Sequence, residues 1–300
     1  MNAPAPRQLA EIMDSINSTR ESRRKSDVKP NLEVESRTPS NIIKLPIWPE
    51  AVRGLPNSVL RSALFGVIKP GKRAFQNAVR KASVDGVTVI HTGPKLDQAD
   101  LDVWSQCLHL ARINGLGVKI NFTANSFLKS IGRDNGKSQH EWLKSSLRRL
   151  LTSLVELTDG NKAYAGQLLH GWLRDEHTGE HVIEINPNLA KIYGSDGWTQ
   201  VEWAQRMMLK KQQLAQWLHG FFSSHAQPHP MKVSTVHRLC ESESTKMYHF
   251  RAELKNALDK IEMATGWTWF IDENDLLHMK KKAYGSQARH LRKKALRSTA

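Results

Sequence analysis

Cysteine is almost absent from this sequence: the two present, Cys107 and Cys240, can build neither a disulfide framework nor a four-cysteine zinc site. No stretch of 18 apolar residues occurs, so no segment is expected to span a bilayer. Met1 to Thr19 is polar and lacks the apolar centre of a signal peptide. Catalytic signatures are missing as well. His225 and His229 stand four apart, but Pro228 and Pro230 forbid a regular helix there, and no HExxH glutamate accompanies them. A rolling-circle nicking enzyme would need a His-hydrophobic-His metal triplet with a catalytic tyrosine, and no such triplet occurs. Gly132 to Ser138 is similar to a Walker A loop, but three residues separate its glycines where four are needed, and a helix precedes it. We therefore expect no catalysis, no cofactor and no metal.

Acidic residues are scarce: 29 against 44 lysines and arginines, a net charge of +15 and a pI near 9.9. Such a balance says nothing about fold but favours polyanionic partners. With 39% hydrophobic and 24% charged residues, 300 residues can build real cores in one or two domains. The charge is unevenly placed. Residues 1–44 hold eight basic and six acidic side chains, nearly in balance. Arg20 to Ser40, with Pro30, Pro39 and many Ser, Arg and Glu, cannot bury enough apolar area to offset its ordering entropy. This part reads as a disordered arm. Lys280 to Ala300 carries eight basic residues and no acid, about half of the net charge. It reads as a solvated tail or as an extension that tracks phosphates.

Between them, folding is expected from Ile47-Trp48-Pro49 to about Met279. Val84 to Thr92 is strand-like, with Gly86 as a turn. Val103, Cys107, Leu110 and Ala111 recur at helical spacing, so Leu96 to Ile113 reads as an amphipathic helix stopped by Asn114 to Gly117. Val118, Ile120 and Phe122 alternate as a short strand. Thr123 suits the N-cap of a short helix from Ala124 to Ile131. A turn over Gly132 to Lys137 leads to a long helix from Ser138 to about Thr152, with Glu141 placed as in a capping box. Ala163 to Leu173 and His181 to Ile185 read as a hairpin. The same order then returns. Leu209 to Ser224 is helical, and Met231 and Val233 make a short strand. Ser234 caps a short helix ending near Cys240, and Glu241 to Ser244 is a turn. Thr245 to Ala264 is a long helix, and Gly266 to Ile271 pairs with Leu276 to Lys280.

A constant offset of 111 residues aligns the two stretches. Val103, Cys107 and Leu110 fall on Leu214, Leu218 and Phe221. Phe122 and Leu128 fall on Val233 and Leu239. Leu143, Leu147 and Leu150 fall on Leu254, Leu258 and Ile261. Eight core-type positions matching without a gap predict a structural duplication. A short helix, tight turn, long helix and hairpin make a winged helix-turn-helix, whose second helix can enter a major groove. The expected fold is therefore α+β. It comprises a disordered arm (1–44), two tandem winged helix-turn-helix domains (45–195, with N-terminal strands, and 196–282) and a basic tail (283–300). Such units also serve in protein interaction, but the charge favours DNA.

Several runs, taken in order, also carry a family likeness. They are Leu45-Pro46-Ile47-Trp48-Pro49-Glu50, Arg61-Ser62-Ala63-Leu64-Phe65, Val103-Trp104 with His109-Leu110-Ala111, and Arg148-Arg149-Leu150. Val201-Glu202-Trp203, Phe221-Phe222-Ser223-Ser224-His225 and Leu239-Cys240-Glu241-Ser242-Glu243-Ser244 continue the series. Over residues 45–281 the chain resembles TrfA-type plasmid replication initiators. The resemblance implies a bacterial cytoplasmic protein that binds direct-repeat iterons in double-stranded origin DNA. It implies melting of an adjacent AT-rich segment, single-stranded there, and recruitment of the host helicase, the host initiator and the sliding clamp. It further implies an origin-binding monomer in equilibrium with a homodimer that is inactive or acts in copy control. No Gln-x-x-Leu-Phe clamp-binding pentapeptide stands in the arm, where Gln8-Leu9 is followed by Ala10-Glu11. A transcriptional repressor of the same fold is the alternative, although two unequal DNA-binding units in one chain argue against the simplest repressor.

On a helical wheel, Thr245, Tyr248, His249, Ala252 and Asn256 face away from the core stripe, with Lys246, Arg251 and Lys255 flanking them. Asn suits adenine, and Arg or Lys suits guanine, although Arg251 and Lys255 are expected on phosphates. In the first unit the analogous set is Ser138, Gln139, Lys144, Ser145, Arg148 and Arg149, the last also able to pair with Glu156. His177 and Asn274 mark candidate wing tips. Asp272, Glu273 and Asp275 would repel phosphate at the second, so Lys280, Lys281 and Lys282 are expected to supply the attraction there. Trp142, near the polar edge of its helix, stands apart from the other tryptophans.

Overall fold

A computed structural model describes residues 42–69, 71–175, 177–193 and 197–283, together with 287, 288, 291, 292 and 296. The expected disordered arm, apart from residues 42–44, and most of the basic tail lie outside the described residues. Every residue of β1 (Val52–Pro56) is buried. The one-turn helix α1 (Asn57–Leu60) follows, then β2 (Phe65–Gly66), β3 (Phe75–Lys81), β4 (Val87–Pro94) and β5 (Leu96–Asp97). In β4 buried and half-buried positions alternate, as in a strand with one covered face. It starts at Val87, because Gly86 turns the chain with φ +84°.

In α2 (Gln98–Asn114) the Asp97 carboxylate accepts from Asp100 N at 2.9 Å, and the Asp100 carboxylate accepts from Asp97 N at 3.2 Å. Gly115, with φ +92°, ends the helix. After β6 (Ile120–Thr123), Thr123 caps α3 (Ala124–Ser130) by accepting from Ser126 N. The capping box expected at Ser138 does not form. Gly136 is the N-cap of α4 (Lys137–Thr152), and the Glu141 carboxylate accepts from Lys144 Nζ at 3.1 Å instead.

The next segment departs from the expected single hairpin. It forms β7 (Leu154–Asp159), β8 (Lys162–Gln167), β9 (Gly171–Arg174) and β10 (Glu180–Glu184). Leu168 and Leu169, both buried, cannot lie on one face of a strand, so the chain turns a corner between β8 and β9. The two strands therefore serve different sheets. One is antiparallel in the order β3-β4-β7-β8; the other has the order β6-β10-β9.

A short helix α5 (Ala190–Tyr193) precedes β11 (Trp198–Glu202), which pairs antiparallel with β1 from Val52↔Glu202 to Pro56↔Trp198. Helices α6 (Trp203–Met208) and α7 (Gln213–Ser223) come next. The helix expected from Leu209 thus starts at Gln213, after Lys211 turns the chain with φ +67°. The chain continues through β12 (Met231–Lys232), α8 (Val233–Leu239), α9 (Met247–Thr265), β13 (Thr268–Ile271) and β14 (Leu276–Lys280). Val233 belongs to α8, whose N-cap is Lys232, so Ser234 is not the cap. The third sheet has the order β12-β14-β13, the same arrangement as β6-β10-β9. Of the sixteen paired core positions, all are buried except Leu110, which packs against the core partly exposed. The offset drifts at the short elements, where Phe122 is in a strand and its counterpart Val233 in a helix.

Two apolar cores result, one around Trp48, Trp104 and Phe127, the other around Phe221, Phe222 and Phe250. Polar side chains link them across the seam, where Val84 also packs against both. Arg206, with no exposed surface, donates to Asp102 Oδ1 at 2.6 Å and to Gln98 O at 3.1 Å. Lys81 pairs with Glu241, Arg61 binds Ser224, and Val67 N donates to Cys240 O at 2.9 Å.

Candidate nucleic-acid interface

Helix α9 is amphipathic because Phe250, Leu254, Ala257, Leu258 and Ile261 repeat on one side and are buried. Its other side is the outward set read from the sequence. Lys246, Tyr248, His249, Arg251, Ala252, Lys255 and Asn256 are all exposed, as is Thr245 just before the helix. The Tyr248 and His249 rings lie 3.9 Å apart, and Lys246 Nζ is 5.9 Å from the Tyr248 ring centre. Arg251 is not alone. Its Nη2 is 2.8 Å from Asp275 Oδ2 and its Nε 3.1 Å from Asp275 Oδ1. This hydrogen-bonded pair raises the arginine's pKa and lowers the aspartate's. Asp275 sits in the β13–β14 turn, so the turn acid expected to repel phosphate also holds a cation of the helix. Asp272, in the same turn, accepts from His278 at 2.9 Å and is lowered chiefly by that bond.

In α4, Leu143, Ser146, Leu147 and Leu150 are buried. Ser138 and Arg148 are exposed, and Lys144 and Ser145 half-buried. Arg149 is a correction. It faces inward and grips Asp100, with Nη2 at 2.6 Å from Oδ1 and Nε at 3.1 Å from Oδ2. Asp100 has no exposed side-chain surface, and Ser146 Oγ also donates to it at 2.6 Å. Arg149 therefore leaves the outward set, and its partner is Asp100 rather than Glu156. Lys281 is a second correction. It lies 5.4 Å from the Trp267 ring centre, donates to Gln287, and is pushed down to about 8 by burial. Lys280 and Lys282 remain exposed.

Sequence reasoning did not single out Arg133. Its guanidinium lies 3.3 Å from the ring centre of Trp142 and donates to Gln139 Oε1 at 2.9 Å. It thus fixes two residues at the start of α4, and its position in the turn before the helix was the available signal. Gly132 holds that turn with φ +67°. The candidate wing tips are supported alike, each by an aspartate two residues earlier. His177 N donates to Asp175 Oδ1 at 2.7 Å, and Asn274 N to Asp272 Oδ1 at 3.0 Å. His225 is half-buried against Phe221, whose carbonyl lies 2.8 Å from Nδ1.

The sequence model of the TrfA protein family matches residues 33–281, from before β1 to beyond β14. This chain belongs to the TrfA protein family. Against the plasmid replication initiator protein TrfA of Escherichia coli, it is 27% identical over 245 residues. The match covers 78% of this chain and 63% of that protein, so the chain spans less than two thirds of its relative's length. In structure, domains 2 and 3 of RctB align with a TM-score of 0.51 at 12% identity. They cover 75% of this chain and 96% of that one, a likeness of fold. Among the described residues, no helix is long and apolar enough to cross a membrane.

Proposed function

We propose that this chain initiates plasmid replication by binding direct repeats in origin DNA through two winged helix-turn-helix units. The observation that carries the reading is the repeated arrangement, in a TrfA-family chain, of a short helix, a long helix with an exposed cationic side, and a hairpin. Units 45–195 and 196–282 each bring one such helix. In the second, α9 offers Asn256 and His249 beside small Ala252, which lets the helix approach the bases. Lys246, Arg251 and Lys255 flank this strip and meet phosphates. In the first, Ser138, Lys144, Ser145 and Arg148 suit the backbone, so this unit mainly positions the protein. Lys280 and Lys282 attract phosphate beside the second hairpin. The unit acts in the bacterial cytoplasm by binding rather than catalysis. Melting of an AT-rich neighbour, engagement of the host helicase and initiator, and a monomer–dimer balance complete the reading.

The test is a pair of substitutions. Asn256→Ala should weaken binding to the cognate repeat by about 1–3 kcal/mol and leave random DNA nearly unchanged. Arg148→Ala should weaken both about equally. If Arg148→Ala relaxes sequence preference while Asn256→Ala leaves it intact, the two units have been assigned the wrong way round. A protein that binds neither DNA overturns the reading altogether.

A further inference from the structure

An aromatic column runs out of the first core to the surface beside α4. Phe127 and Phe122 are 4.6 Å apart at their centres, and Phe122 stacks on His181 at 5.3 Å and 22°. His181 stacks in turn on Trp172 at 5.9 Å and 18°, and Trp172 Nε1 donates to His181 Nδ1 at 3.1 Å. Phe127, Phe122 and His181 are buried, whereas Trp172 is only half-buried. The indole is therefore anchored from below at its ring and at its one polar atom.

Two arginines lie over this anchored indole. Arg148, from α4, stands 6.0 Å from the ring centre, and Arg174, from β9, stands 5.5 Å from it. Both arginines are exposed. Two residues apart on one strand, Trp172 and Arg174 share a face of the hairpin, the face that also carries Ile183 and His181 across the ladder. The period of a strand and the outward turn of a helix thus bring two cations from different elements onto one ring. Cation–π attraction holds a guanidinium plane in place while leaving its N–H donors directed elsewhere. Glu141, bonded to Lys144 Nζ at 3.1 Å, also feels both positive charges. Two like charges held together on a surface repel, and an anion placed between them relieves that repulsion. With guanidinium groups over the indole, the site offers little ring for a base to stack on and two forks for phosphate oxygens.

We propose that Arg148 and Arg174, held by Trp172, form a clamp for the DNA sugar-phosphate backbone where the first hairpin meets α4. The proposal rests on the DNA-binding reading above and adds Arg174 as a phosphate ligand and Trp172 as a positioning residue. The test measures the affinity of the full chain for a random-sequence duplex across a range of salt. Each phosphate contact contributes about 0.9 to the slope of log affinity against log salt. Arg174→Ala and Arg148→Ala should each lower the slope by about that amount, and the double variant by about twice it. Over a fourfold rise in salt, the double variant should then lose about twelve-fold less affinity than the unmodified chain. Trp172→Leu, which removes no charge, should lower the slope as an arginine loss does, whereas Trp172→Phe should keep it. A Trp172→Leu protein that binds more weakly at an unchanged slope overturns the positioning role. Arginine variants that keep the full slope while the unmodified chain binds duplex overturn the clamp alone. A chain with no salt-dependent binding to duplex overturns the DNA reading and the clamp with it.

Discussion

Replacing Arg206 with methionine tests how the two cores are joined. Arg206 has no exposed surface, and its Nε lies 2.6 Å from Asp102 Oδ1. Methionine keeps an unbranched apolar stem but removes the charge and every donor. Asp102 is then left with one side-chain donor, Gln216 Nε2 at 3.1 Å. Burial pushes the Asp102 carboxyl up, and the Arg206 charge and hydrogen bond pull against that most strongly. Breaking a buried pair from one side typically costs about 3–5 kcal/mol. That loss should appear in equilibrium urea unfolding as a lower midpoint. Its pH dependence is specific. Without Arg206, the folded-state pKa of Asp102 stands further above its unfolded value. Such a group contributes stability below the unfolded pKa and loses it as pH rises through the folded one. The deficit of Arg206→Met should therefore be full at neutral pH and shrink as pH falls toward about 4. Adding Asp102→Leu should recover most of it, since an apolar pair is tolerated where a lone buried charge is not. A deficit below about 1 kcal/mol, or one that Asp102→Leu leaves unchanged, would refute the reasoning.

Burial, the largest cause at each, holds His91, His109 and His225 down to about 4 and His219 to about 3. Because these folded values are depressed, stability should be full above about 6.5 and fall as pH drops toward about 4; His219→Phe should flatten that fall, and an identical profile would count against it. Gly54→Ala would place a methyl 2.5–2.8 Å from carbons of the buried Trp48 ring, so the chain should lose about 1–3 kcal/mol, and an unshifted thermal midpoint would contradict this. Asp275→Asn should change stability by less than about 1 kcal/mol, because the pair it breaks is exposed. The same change should tighten binding to DNA by removing a carboxylate beside Arg251; weaker binding would show the opposite role.

What could be read in the sequence was local. Leu143, Leu147, Leu150, Leu254, Leu258 and Ile261 announced the two long helices because helical period needs only neighbours, and all six are buried. The tight turn at Gly132 and the cap at Thr123 were legible for the same reason. The four-stranded sheet was not. Six of the seven β3 residues are exposed or half-buried, so the strand shows no core alternation, and its partner sheet includes β7 and β8 from after α4. Nothing local tells Ala163 to Gln167 to pair back with β7 while Gly171 to Arg174 pairs onward with β10. A helical wheel likewise gives a direction for a side chain but not the acid waiting 49 or 104 residues away, as Asp100 waits for Arg149 and Asp102 for Arg206.

Arg149 and Arg251 show why that missing acid decides function. Both are arginines on the long helices, and both hold an aspartate through two nitrogens. Asp100 has no exposed side-chain surface, so pulling Arg149 away toward a phosphate would leave a carboxylate buried beside Ser146. That cost is of the order of several kcal/mol, more than one phosphate contact returns. Asp275 has 37% of its side chain exposed and Arg251 44%, so water replaces whatever either loses. An exposed pair is worth about 0–1 kcal/mol, which a DNA phosphate can outbid. The burial of the partner, not of the arginine, thus sorts structural arginines from those open to nucleic acid. By that rule Arg251 stays in the proposed DNA-binding set and Arg149 belongs to the core's own polar frame.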